Sequence, residues 1–120
     1  MAGYLLVTGT IFAIVGLRAL VNPLNAVALP YAIVVEGVDG RNYLRSAAGG
    51  VTVACAGVMV VAAFIPSLAF GATLMAVTIL GGLVFGRAVS AVVDGRPGPI
   101  PWISGAFEAL GFCSGLYWLL

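Results

Sequence analysis

SAAGGVTVACAGVMVVAAFIPSLAFGATLMAVTILGGLVFG, residues 46–86, carries no charged side chain, and all five arginines of the chain lie outside it. One bilayer crossing takes about 20 apolar residues, so this run is too long for a single span. It is interrupted near its centre by Ile65-Pro66-Ser67. Proline removes an amide donor and biases the preceding residue away from helix, so the run reads as two membrane helices joined by a short turn.

The composition around this hairpin points the same way. Of the 120 residues 62% are hydrophobic and 8% charged, with no histidine, whereas about a quarter of a soluble domain is charged. The chain is therefore expected to be a single transmembrane domain over residues 1–120. A net charge of +1 argues against nucleic acid as a partner, because that requires a basic patch, and lipid is the expected surrounding. The start Met1-Ala2-Gly3-Tyr4 has no basic side chain ahead of its apolar run, which predicts that the first helix is retained rather than cleaved as a signal peptide.

Working outward, the first span is expected at about 3–21, stopped by Asn22-Pro23. Residues 24–35 are almost wholly apolar but too short to cross and are split by Pro30, so they should form an interfacial or re-entrant segment. Residues 36–42, with Glu36, Asp39 and Arg41 among glycines, read as a polar turn before a second span at about 43–65. The third span, about 68–93, runs into Asp94-Gly95-Arg96-Pro97-Gly98-Pro99-Ile100-Pro101, which reads as a stiff non-helical loop. A fourth span, 102–120, completes an all-α integral membrane four-helix bundle.

Four spans place the first and third connections on one face. Arg18, Arg41, Arg45, Arg87 and Arg96 then all fall on that side and none on the other. The positive-inside bias makes that side cytoplasmic, so both termini should face away from the cytoplasm. Tyr4 and Tyr117-Trp118 should mark the far interface, and Trp102 and Tyr43 the near one, as aromatic belts do, with plain packing as the simpler account of each.

Lipid gives helices no hydrophobic drive to associate, and close approach through small residues takes its place. Ser46, Gly50 and Ala54 recur every four residues in the second span, Gly82, Gly86 and Ser90 in the third, and Gly111 and Gly115 in the fourth. Each set falls on one face of an ideal helix. They are expected to pack the bundle, or else to face a partner.

Ionisable groups at membrane depth are costly, and are usually paired, water-facing or functional. Glu108 lies six residues after Trp102 and Arg87 seven before Asp94, so at ~1.5 Å per residue each sits roughly 9–11 Å along its helix from the same loop. Antiparallel neighbours would bring them level, and arginine suits a forked contact with carboxylate. An Arg87–Glu108 ion pair is predicted. Arg18 and Arg45 fall within about two turns of the same interface, which suggests a ligand-binding cluster of Arg18, Arg45, Arg87 and Glu108 for an anionic headgroup or small amphipath. The plainer account is that the arginines reach phosphates while the pair locks two helices.

Other chemistry is thin. Without histidine, imidazole ligation of a metal or haem is excluded, and no cysteine pair has metal-ligand spacing, so neither metal nor cofactor is expected. Cys55 and Cys113 fall mid-helix, where a thiol stays protonated and packs as a small hydrophobe. Met59 and Met75 read as core fillers. Asp94-Gly95 with a following proline reads as a helix stop, with Arg96 or Arg41 as candidate charge partners for Asp94. Ser90 lies on one helix face between Arg87 and Asp94 without an evident general base. No catalytic constellation is visible, and the chain is not expected to be an enzyme.

Three stretches carry a resemblance: Asn22-Pro23, Asn42-Tyr43-Leu44-Arg45-Ser46-Ala47-Ala48-Gly49-Gly50, and Gly86-Arg87-Ala88-Val89-Ser90-Ala91-Val92-Val93-Asp94-Gly95-Arg96-Pro97. With the acid Glu108 in the last helix, they resemble the small four-helix bacterial membrane proteins grouped as domain of unknown function 4345. The resemblance spans nearly the whole chain and implies a four-helix inner-membrane architecture, but no activity.

Three roles follow as expectations: an accessory subunit packed on a larger membrane complex or on itself, a binder of lipid or amphipath at the Arg/Glu cluster, and a small transporter coupled through Glu108. Small four-helix multidrug transporters are of similar length but carry their carboxylate in the first helix, where this chain has none.

Overall fold

The computed structural model describes residues 1–120 and is entirely helical. Helix α1 spans Ala2–Val21. Its inward residues Tyr4, Leu5, Thr8, Gly9, Gly16 and Ala19 recur at the three- and four-residue spacing of one helix face. Asn22, extended ahead of Pro23, ends the helix while its N–H still bonds the Arg18 carbonyl.

Residues 24–35 do not form a spanning helix. A single π-helical turn, Leu24–Ala28, leads into a turn at Ala32, which has φ 54°. The chain then runs extended to Glu36.

The second long helix starts earlier than its hydropathy suggests. Residues 36–42, expected as a polar turn, instead supply most of helix α2, Gly37–Leu44. Asp39 lies in its first turn, where an acid complements the positive end of a helix. Helix α2 continues through a π-helical stretch, Arg45–Gly50, into helix α3, Val51–Phe64, so that Gly37–Phe64 is one 28-residue rod.

Ile65 alone connects α3 to helix α4, Pro66–Val93, whose first position is the proline. After Asp94 and Gly95 (φ 99°) the chain turns into helix α5, Pro99–Leu119. The proline-rich loop is thus shorter than the sequence suggests. Pro99 and Pro101 both lie in the first turn of α5, where amide donors have no intrahelical partner and a missing N–H costs nothing.

Ala2–Val21, Gly37–Phe64 and Pro66–Val93 are long and apolar enough to cross a membrane. Helix α5 matches α1 in length, but Glu108 and two prolines make it less apolar.

Helix α1 packs along α3 and the π stretch, α3 on α4, and α4 on α5, while α1 touches α4 and α5 only lightly. The result is a flattened body of 44 × 31 × 17 Å. Its core gathers Tyr4, Leu5, Met59, Ala62, Ala72 and Ala76 near the Pro66 turn. Tyr4, expected at an interface, is instead buried and donates its hydroxyl to the Gly111 carbonyl at 3.1 Å. Both chain ends lie with the Pro66 turn, and the arginine-bearing connections lie at the opposite end.

Candidate functional site

Helices α4 and α5 run antiparallel, which brings Arg87 and Glu108 level. Arg87 Nε donates to Glu108 Oε2 at 2.5 Å and Nη2 donates to Oε1 at 2.7 Å. This forked geometry fixes both planes, as arginine–carboxylate pairs do. Gly105, one turn from Glu108, makes room for it: a Cβ there would lie 3.2 Å from Arg87 Cδ.

The segment after α1 reaches across this pair. The Tyr31 ring lies 5.9 Å from the Arg87 guanidinium carbon, within cation–π range. Tyr31 Oη and Ser104 Oγ share a hydrogen bond of 2.7 Å. Ala32, next to Tyr31, holds a left-handed backbone that costs a non-glycine residue free energy. It directs the chain from its turn into the extended run.

Tyr31 and Arg87 line a groove of about 790 Å³ between α4 and α5. Gly82, Gly86 and Ser90 line it from α4, and Trp102, Gly105, Ala106 and Ala109 from α5, with Pro97 and Pro101 at the loop. Small apolar side chains make the wall, and the polar groups collect at one end. This combination fits a ligand that is mostly apolar with one polar head.

Arg18 and Arg45 do not join this site. Arg45 Nη1 donates to the carbonyls of Leu20 and Val21, which lack partners inside α1, and so caps that helix. Arg18 lines a separate cleft with Asn22 and Asn25. Neither forms an ion pair with Glu108; the only such pair in the protein is Arg87–Glu108. The expected four-residue cluster is therefore two separate places, because α1 leans on α3 and the π stretch while Glu108 belongs to the α4–α5 pair.

The small-residue stripes also need correction. Ser46 and Ala54 are exposed, and a Cβ on Gly50 would meet only its own helix, at the Arg45 carbonyl. The tight contact is one residue away, where a Cβ on Gly49 would come within 3.0 Å of the Leu20 nitrogen. A π turn holds more than four residues, so a four-residue repeat drifts off the packed face across Arg45–Gly50. Across α1, Gly16 abuts Val53 and the Gly49 carbonyl, and Gly9 abuts Met59.

A Cβ on Gly82 or Gly86 would meet nothing within 4 Å, and both glycines face outward with Ser90; the contact is made by Gly81 against Phe112. Gly111 sits against Leu80, and Gly115 against Val77 and the Tyr4 hydroxyl.

Ser90 Oγ donates to Asp94 Oδ2 at 2.8 Å, which occupies the carboxylate expected to seek Arg96 or Arg41. No imidazole or third polar group completes a nucleophile there. Cys55 is half-buried and Cys113 exposed, and they form no disulfide.

Tyr31, Ser104 and Gly105 escaped the sequence reading. Ser104 and Gly105 stand four and three residues before Glu108, on the same helix face, which was a usable signal. Nothing in the sequence around Tyr31 announced a contact with Ser104, 73 positions away.

No curated protein and no solved structure is matched by the chain. The family profile described as Domain of unknown function (DUF4345) matches residues 1–120. With the whole chain matched, this protein belongs to that family.

Proposed function

We propose that this protein is an integral protein of the bacterial inner membrane that holds an amphipathic molecule, lipid or lipid-like, in the α4–α5 groove. It does so without catalytic chemistry, metal or cofactor. The observation that carries this reading is the groove itself, an apolar trough lined by Arg87 and Tyr31, which Glu108 and Ser104 hold from behind. Large apolar side chains such as Phe64, Phe70, Phe85 and Phe107 point outward, which suits a lipid surrounding for all four long helices, α5 included. With the arginines gathered at one end, the termini face away from the cytoplasm.

Purification in native nanodiscs followed by mass spectrometry tests the reading. A retained amphipath is expected, and Gly86→Leu, which fills the trough without touching the ion pair, should release it. Equal retention by both proteins would refute the assignment. A reporter fused to the C-terminus should be active only outside the cytoplasm.

A second reading, an accessory subunit, is favoured by the outward stripe of Gly82, Gly86 and Ser90 with open space before it, since such stripes admit a partner helix. It predicts a stoichiometric partner chain, or a second copy, in the same purification. Both Glu108 oxygens are held by Arg87, so proton-coupled transport through Glu108 has no supporting observation.

A further inference from the structure

The groove has a donor-rich head end, and its chemistry narrows the class of occupant. Resting on the reading above, we propose that the groove selects amphipaths with an anionic, acceptor-only head, a carboxylate or a phosphate, over cationic or hydroxyl heads on the same chain.

Arginine carries five N–H donors. Two of those on Arg87 go to Glu108, and of the other three the Tyr31 hydroxyl can engage one at most. Arg87 lines the groove with 29% of its side chain exposed, so these donors remain within reach of an occupant. Trp102, also in the lining, carries an indole N–H that makes no hydrogen bond within the protein and can only donate. The Glu108 carboxylate is taken on both oxygens by Arg87, and Asp94 accepts the Ser90 hydroxyl on Oδ2. A hydroxyl head could accept one of these N–H groups only as a neutral partner and a trimethylammonium head could accept none, whereas an oxyanion would meet several, and contacts between two charged groups are the stronger ones.

The Arg87–Glu108 pair is neutral as a unit. Arg96, beside the groove residue Pro97, forms no ion pair. Asp94 offsets Arg96, so the charged groups around the groove sum to zero and the selection rests on the N–H donors. Of the two aromatic rings in the lining, Tyr31 already has Arg87 against it, so a second cation there would face the guanidinium, which leaves Trp102 as the ring open to a cationic head.

The test uses Trp118→Phe protein in phosphatidylcholine nanodiscs, leaving Trp102 as the single indole. Brominated chains of one length, ending in carboxylate, phosphate, hydroxyl or trimethylammonium, are titrated against its fluorescence. Half-quenching by carboxylate or phosphate is expected at a concentration about tenfold below that for the other two heads, the size of one hydrogen bond to a charged group. Gly86→Leu should abolish the difference. Preference for either anion alone supports the proposal and tells a fatty-acid source from a phosphate-headed lipid. Equal quenching by all four heads, lost on Gly86→Leu, overturns the head selection and leaves the groove reading standing. Quenching that ignores Gly86→Leu for every head overturns the groove reading itself.

Discussion

Arg87 and Glu108 meet through two parallel hydrogen bonds, of 2.5 and 2.7 Å, across the antiparallel α4–α5 pair. The carboxylate is the more enclosed partner, with 15% of its side chain exposed. Removing either residue alone therefore leaves a charge without its counterpart in a poorly solvated place, which costs more than the bonds themselves contribute. Arg87→Met and Glu108→Gln should each lower stability by about 1–3 kcal/mol. The double change Arg87→Met with Glu108→Met should cost clearly less than the two single losses added together. Thermal unfolding of the four proteins in one detergent checks this, and additive losses would show that the pair is not coupled.

The π stretch makes neighbouring glycines unequal. A methyl group on Gly49 would press on the Leu20 backbone, whereas on Gly50 it would meet only the carbonyl of Arg45. Gly49→Ala is expected to destabilise by about 1–3 kcal/mol, as overpacking does. Gly50→Ala should be neutral or stabilising by up to about 1 kcal/mol, through helix propensity. Unfolding curves that rank the two variants the other way would place the packed face one residue off.

The same logic separates α5 from α4. Gly115→Ala would drive a methyl group to within 2.5 Å of the Tyr4 hydroxyl, a contact that cannot be kept. Gly82→Ala meets open space. The first should fall by about 1–3 kcal/mol, and the second should hold or gain slightly, by the same melting assay.

Tyr31 tethers the 29–36 segment to α5 through Ser104. Tyr31→Phe keeps the ring over Arg87 but loses the hydroxyl, at a cost of ~0.5–1.5 kcal/mol. Amide hydrogen exchange across residues 31–36 should quicken by about two- to tenfold. Ser104→Ala should reproduce that change, and exchange unaltered in both would mean that the tether contributes nothing.

Much of this architecture was readable in advance because it rests on strong local rules. Pro66 and Asn22-Pro23 end helices by removing donors, and the uncharged run between Ser46 and Gly86 has few other ways to fold. The Arg87–Glu108 contact followed from counting rise along two antiparallel helices. Tertiary choices were harder. Hydropathy alone made residues 36–42 a turn, because it does not register that a polar segment can still be the first turns of a rod. The stripe at Ser46, Gly50 and Ala54 failed because a four-residue repeat presupposes α geometry, which the chain leaves at Arg45–Gly50. The grouping of Arg18 and Arg45 with Glu108 failed because depth along the helix axis says nothing of which neighbour a helix leans on. Tyr31 belongs to the site through a contact that no local pattern encodes.

The 17 Å thickness of the body has a mechanical corollary. A slab this thin buries only 19 of its 120 residues, so in the lipid setting proposed above much of its dispersion attraction would come from the apolar medium that coats it. Such a coat would act as a removable portion of the fold, and exchanging it should alter the cohesion of this protein more than most single substitutions in its small interior.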